Sequence, residues 1–426
     1  MTNRRWLLAL LLMATYLAVW TGILDASGWS WSALESWAQD PMGAEFRVNS
    51  YTPGHQRRPA VASDAQGNFV VVWQSFGQDG SSYGVFGRRF NASGVPQGLE
   101  FRVNSFTPDP QSRAAVASGA NGNFVVVWQR WSDGSGYGIF GRRFDAAGLP
   151  QGSEFQINSY TTNGQAWPAV ASDASGNFVV VWGSSGQDDS AYGVFGQRFN
   201  AAGLPQGSEF QINSYTTGTQ AGPAVASDAN GNFVVAWTSQ GQDGSYGGVF
   251  GQRFDSSGLP QGSEFQVNSY TTRWQYAAGI AEDAAGNFVV VWRGDDGSLD
   301  GVFGQRFSAS GSPLGGEFRV NSYSTNGQTS PAVSSDADGN FVVVWQAFSD
   351  GGSYGVFGRH FDPSGVPQGS EFQVNSYTTS MQLSPVVASA ANGNFVVVWE
   401  SGGQDGSGFG VFGQRFGDLI FRDGFE

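Results

Sequence analysis

Residues 68–74 read Asn-Phe-Val-Val-Val-Trp-Gln. The run is apolar at odd and even positions alike, so a strand built from it must be covered on both faces of its sheet. It is not unique. Phe-Val-Val-Val-Trp, or a near variant, ends at Trp73, Trp128, Trp182, Trp237, Trp292, Trp345 and Trp399, at intervals of 53 to 55 residues. A second marker, Glu-Phe-x-(Val/Ile)-Asn-Ser, places Phe at 46, 101, 155, 210, 265, 318 and 372. Seven copies of each marker mean seven units of one repeat.

Outward from residues 68–74, one unit reads as four strands. Pro-Ala-Val-Ala-Ser (59–63) is a short strand A, joined by the tight turn Asp64-Ala65-Gln66-Gly67 to strand B over 68–74. Tyr-Gly-Val-Phe-Gly-Arg-Arg-Phe (83–90) is strand C, and Glu-Phe-Arg-Val-Asn-Ser (100–105) strand D. After residue 45 no stretch shows a helical period with caps. Four short strands per unit, repeated seven times and covered on both faces, predict an all-β, seven-bladed β-propeller with four antiparallel strands per blade. A β-solenoid has shorter rungs, and a lone four-stranded sheet cannot bury two apolar faces. The first marker (45–50) is a strand D with no A, B or C before it, and the last unit lacks D. The N-terminal strand is therefore expected to complete the seventh blade and remove an open edge. The propeller is expected over residues 39–416, after a leader (1–38) and before a tail (417–426).

Composition narrows the function. The 426 residues include 63 Gly and 15% aromatics but no Cys and no Lys, for a net charge of −14. Disulfide and thiolate chemistry are excluded, and the charge disfavours nucleic acid and anionic membranes as partners. Arg4 and Arg5 precede the uncharged run 6–24, the pattern of a secretory signal or, at this length, an uncleaved N-terminal anchor. Ala26-Ser27-Gly28 and Ser36-Trp37-Ala38 are candidate cleavage motifs. Either reading places the propeller outside the cytoplasm: secreted, periplasmic or at the cell surface.

The run Asp-Ala-x-Gly-Asn-Phe-Val-Val-Val-Trp, followed by Gly-Gln-Asp-Gly-Ser, Tyr-Gly-Val-Phe-Gly-Gln-Arg-Phe and Glu-Phe-x-Val-Asn-Ser, resembles a repeat of bacterial secreted and surface proteins, some of which carry RTX regions. The resemblance covers about residues 45–416. It implies an extracytoplasmic binding or adhesive module and no catalytic role, although this chain has no Gly-Gly-x-Gly-x-Asp-x calcium repeats. The ending Ile-Phe-Arg-Asp-Gly-Phe-Glu (420–426) resembles short C-terminal sorting tails of exported proteins.

Positions that repeat serve what the units share, which is folding. Arg89, Arg143, Arg198, Arg253, Arg306 and Arg415 share one strand C position, where His360 is the exception. Glu45, Glu100, Glu154, Glu209, Glu264, Glu317 and Glu371 open every strand D. Each Arg is expected to pair with the Glu of its adjoining strand. Gln56 and its six equivalents are expected to satisfy loop backbone, with a ring of amides lining the channel as the alternative.

Positions that vary concentrate on one face, in the D-to-A and B-to-C connections. Arg57, Arg58, Arg113, Arg130, Trp131, Trp167, Arg273, Trp274, Tyr276 and Arg293 are the candidate ligand-binding residues, because rigid aromatic rings and guanidiniums suit sugars, carboxylates and protein anchors. Drift in unconstrained loops is the competing explanation. Asp295, Asp296 and Asp300 form the densest acidic loop and the candidate calcium site; no other cofactor is expected. His55 and His360 are the only histidines, too few for zinc or a Ser-His-Asp set. Glu282 and Glu400 are the acids that break the repeat, in different blades, which gives no case for a hydrolytic pair. The expectation is a monomeric, non-enzymatic module that binds a glycan or a cell-surface protein. A structural envelope protein without small ligand and a propeller glycosidase are the alternatives.

Overall fold

The computed structural model describes residues 39–131, 135–295, 299–323, 325–350 and 353–418. The leader run, its cleavage motifs, residues 420–426, and Asp133 and Asp296 of two B-to-C loops lie outside them. The described residues form seven antiparallel sheets. In blade 1, strand A is Gln56–Ser63, B is Phe69–Phe76, C is Tyr83–Phe90 and D is Phe101–Arg102. The A strands of blades 2 to 7 are Gln111–Ser118, Gln165–Ser172, Gln220–Ser227, Gln275–Glu282, Gln328–Ser335 and Gln382–Ser389. Neighbouring A strands stand side by side round the ring, and the seventh closes against the first. This is the seven-bladed β-propeller that the repeats predict.

The two apolar faces of strand B each have a destination. Phe69, Val71 and Trp73 pack into the seam with blade 7, while Val70 and Val72 pack into the seam with blade 2. Seven inter-blade cores replace one central core, and each contains a fully buried Trp from the set that opened the sequence reading. Strand D supplies a wedge. The Phe101 ring lies over Gly87 of its own strand C, where any Cβ would come within 2.8 Å of it. From there it reaches the stacked Phe124–Phe144 pair of blade 2, at 6.1 and 5.4 Å between centroids. The glycine is therefore a packing requirement of the repeat.

The ring closes as the repeat phase predicts, with an addition. Phe46 and Arg47 pair with Gly413 and Phe412 of strand C in blade 7, and Val48 is buried in the blade 7–blade 1 core. A further strand, Gln39–Pro41, pairs with the far end of the same strand, which extends to Asp418 rather than ending near 416. Elsewhere the strand bounds shift. Strand A begins three residues earlier than its apolar core, at the buried Gln, and takes in a bulge between Arg57 and Ala60. Strand D shortens to two residues, because Val103 and Asn104 turn away to bond strand C through one N–H and one side-chain oxygen.

The repeated charges do not pair as expected. Arg89 donates to the carbonyl of Ala146, in the C-to-D turn of the next blade, and to Gln97 in its own. Arg143, Arg198, Arg253, Arg306 and Arg415 make the same reach to Ala201, Ser256, Ala309, Pro363 and Ser93. Each Glu reaches backwards: Glu154 accepts from the Ser105 N–H and hydroxyl of the preceding blade, both at 2.7 Å, and Glu45 does the same for Ser376. Both series therefore tie neighbouring blades together. His360 now has a reason. The blade ahead of it is the seventh, whose strand D comes from the N-terminus, so among the described residues no C-to-D turn offers a carbonyl there. A stacked contact with Phe395 takes that place.

Candidate functional site

Strand A enters at one face of the ring, here the upper face, and leaves at the other. The D-to-A and B-to-C connections line the upper face. The A-to-B and C-to-D turns form the lower one, and their near-identity follows from local bonding: Asp64 accepts from the N–H groups of Gln66 and Asn68, and Asp173 and Asp283 repeat the pattern.

Gln56 is fully buried, accepts from Asn49 and donates to the carbonyl of Pro53; Gln165 bonds Asn158 and Thr162 in the same way. These amides satisfy the connections and are shut off from the channel. Immediately beside them strand A bulges, and its third residue takes a left-handed backbone: φ is +52° at Arg58, +53° at Arg113, +56° at Trp167, +62° at Gly222, and +52° at Ser330 and Ser384. In blades 1, 2, 3 and 7 the N–H of that residue is held by the side chain following the repeat Trp of the preceding blade. Arg58 donates to Glu400 at 2.7 Å, Trp167 to Gln129 at 3.2 Å, and Ser384 to Gln346 at 2.7 Å. Glu400 is the acidic member of this clamp series and also holds Arg57, at 2.9 Å. Its signal in the sequence was the break in the Gln pattern; its role depends on a neighbour more than three hundred residues away.

The other candidates divide. Arg130 is scaffold: it lies 3.5 Å over the Phe140 ring and pairs with Glu154 at 2.8 Å, taking the place that Gln78 holds toward Glu100 in blade 1. Trp131, half exposed, caps its hairpin edge-on against Tyr137. Arg273 pairs with Asp295 and Arg293 faces Asp300 at 3.6 Å, so both described carboxylates of the proposed calcium loop already meet guanidiniums. Trp274 and Tyr276 stack at 5.3 Å with their planes 5° apart. Arg293 lies 4.5 Å over the Tyr276 ring, and Tyr246, which the sequence reading missed, adds a fourth plane at 6.1 Å from Trp274. Gly247 makes room, since a Cβ there would sit 2.6 Å from the indole. The result is a ladder, Tyr246–Trp274–Tyr276–Arg293, across blades 4 and 5, with Tyr246 63% exposed.

A cavity of about 500 Å³ lies at the lower side of the blade 7–blade 1 seam between Met42, Phe69 and Phe416, and smaller grooves recur at other lower seams. It belongs to the joint between blades.

Fold and surface together define a β-propeller with a uniform lower face and an irregular, aromatic and arginine-rich upper face. No family profile and no curated protein matches the chain. Solved structures do. It is similar to a protein of unknown function from Dyadobacter fermentans, with TM-score 0.53 and 11% identity over 74% of this chain and 96% of that one. It is also similar to the β-propeller domain of the Trilobed protease from Pyrococcus furiosus, with TM-score 0.50 and 11% identity over 88% and 99%. The polysaccharide lyase Uly1 matches with TM-score 0.51 and 10% identity over 91% and 95%. Identities this low show the shared fold alone. The Pyrococcus domain is described as an open velcro propeller, whereas the N-terminal strand here closes blade 7.

Proposed function

We propose that the chain is an exported, non-enzymatic β-propeller that binds a saccharide chain or a glycosylated partner through its upper face. The ladder Tyr246–Trp274–Tyr276–Arg293, half-buried except at the exposed Tyr246, carries the reading. Stacking covers the inner ring faces, so the ladder offers the exposed Tyr246 ring and the edges of the rings behind it to the apolar face of a sugar, and these lose little entropy on binding because the scaffold already fixes them. A polysaccharide lyase among the similar structures is compatible with saccharides on this fold. Against catalysis, Glu400 and the repeated Glu side chains of this face are spent as acceptors for scaffold N–H groups. Two carboxylates free to flank a glycosidic bond are what hydrolysis would require.

The test is a glycan array probed with the full chain and with Trp274→Ala. Binding of the wild type to a defined glycan set, weakened at least tenfold in the variant with an unchanged melting curve, is the expected result. Capture of no glycan by the wild type would overturn the reading in favour of a structural envelope role. Turnover of chromogenic glycosides would overturn it in favour of an enzyme.

A further inference from the structure

The third position of strand A is asymmetric round the ring. Its left-handed backbone is strained for a long or bulky residue and free of strain for glycine. Blades 4, 6 and 7 use Gly222, Ser330 and Ser384, while three consecutive blades, 1 to 3, place Arg58, Arg113 and Trp167 there. The clamp needs only the N–H of this residue, so the scaffold does not explain the side chains.

Nor does pairing explain the two arginines. On the upper face Arg57, Arg130, Arg273 and Arg293 each meet a carboxylate. Arg58 and Arg113 meet none among the described residues, in a protein with a net charge of −14. They are close enough to repel. Burial first, and the Arg58 charge second, push the Arg113 guanidinium down to about 10, with only Tyr137 opposing. Arg113 is half-buried and Arg58 exposed; two like charges in adjacent blades, with no carboxylate against either among the described residues, are an arrangement that a bridging anion relieves. Next to them, the Trp167 ring lies across the backbone of Gly183 and against Tyr192, 5.0 Å between centroids.

We propose that Arg58 and Arg113 form a subsite for the carboxylate of an acidic saccharide, with Trp167 as the adjoining surface for its ring. This rests on the saccharide-binding reading above and names the ligand class. Guanidinium forks bind carboxylates bidentately, and two from neighbouring blades span one acidic group or two successive ones.

The experiment is calorimetric titration of the full chain with tetragalacturonate and with the same tetrasaccharide after reduction of its carboxyls to alcohols. Arg58→Ser and Arg113→Ser are the variants, because Ser330 and Ser384 show that the scaffold accepts serine at this position. Expected are binding of the acid form at least tenfold tighter than the reduced form, a tenfold loss in each Arg variant, and weakening by added salt. Trp274→Ala serves as the separate probe of the ladder. Equal binding of both forms, unchanged in the Arg variants, would overturn this subsite and leave the saccharide reading standing. Arg-dependent binding indifferent to Trp274→Ala would support the subsite and remove the ladder from the site. No binding of either tetrasaccharide would overturn the subsite, while the glycan array decides the broader reading separately.

Discussion

Replacing Glu282 with glutamine should stabilise the propeller, and increasingly so as pH rises. Glu282 ends strand A of blade 5, where the other six blades carry serine. Its Oε2 is buried and has no hydrogen-bond partner among the described residues. Burial, then the charges of Asp228 and Asp283, raise its carboxyl from the ordinary 4.5 to about 9, with Arg253 opposing only in part. The sign follows from linkage. A folded-state value above the unfolded one means that the native state prefers the protonated acid. Stability is then whole below about pH 4.5 and drains away as pH climbs toward 9. One unit is worth about 1.4 kcal/mol, so holding the acid neutral at pH 7 costs the native state about 3 kcal/mol. Glutamine imitates the protonated acid and does not titrate. Urea unfolding of wild type and E282Q at pH 4.5, 6 and 7 should therefore show curves that nearly coincide at the lowest pH and separate by about 3 kcal/mol at the highest. A pH-independent difference, or a less stable variant at pH 7, would refute the assignment of a neutral, poorly solvated carboxyl.

Two further predictions concern the ring itself. Deletion of residues 39–50 removes both N-terminal strands that pair with the outer side of strand C in blade 7 as well as the buried Val48, and exposes a sheet edge; thermal melting should fall steeply, and an unchanged curve would contradict closure through the N-terminus. Arg306→His breaks the reach to the Pro363 carbonyl and should lower the melting temperature by several degrees, whereas His360→Arg should bring no gain because blade 7 has no C-to-D turn to receive it. A comparable gain from His360→Arg would show that the Arg series does not act through the neighbouring turn.

On the upper face, the irregular side chains serve two purposes that residue type alone does not distinguish. Arg57 and Arg130 look like ligand contacts and are structural, each neutralised by a carboxylate and laid over a Phe ring. Arg58, one residue from Arg57, has the same chemistry and none of those contacts. The difference lies in the bulge. It turns the third residue of strand A into a left-handed backbone and points successive side chains in different directions. Trp274 was legible as a loop aromatic. Its place in a four-plane ladder depended on Gly247 and Tyr246, residues that in other blades belong to an ordinary strand C entry.

The amino-acid sequence alone determined the number of blades, the four-strand unit, the doubly covered strand B and the closure by the first strand. These follow from local period, turn chemistry and the phase in which the repeats begin, none of which requires knowing what touches what. The tertiary structure decided the partners. In a chain of near-identical units, a side chain meets the same residue types in its own blade, the one before and the one after, so spacing cannot tell them apart. Arg89 therefore turned out to hold the next blade and Glu100 the previous one. For the same reason, only assembly of the ring could show that Arg58 and Arg113 of the upper face meet no carboxylate among the described residues.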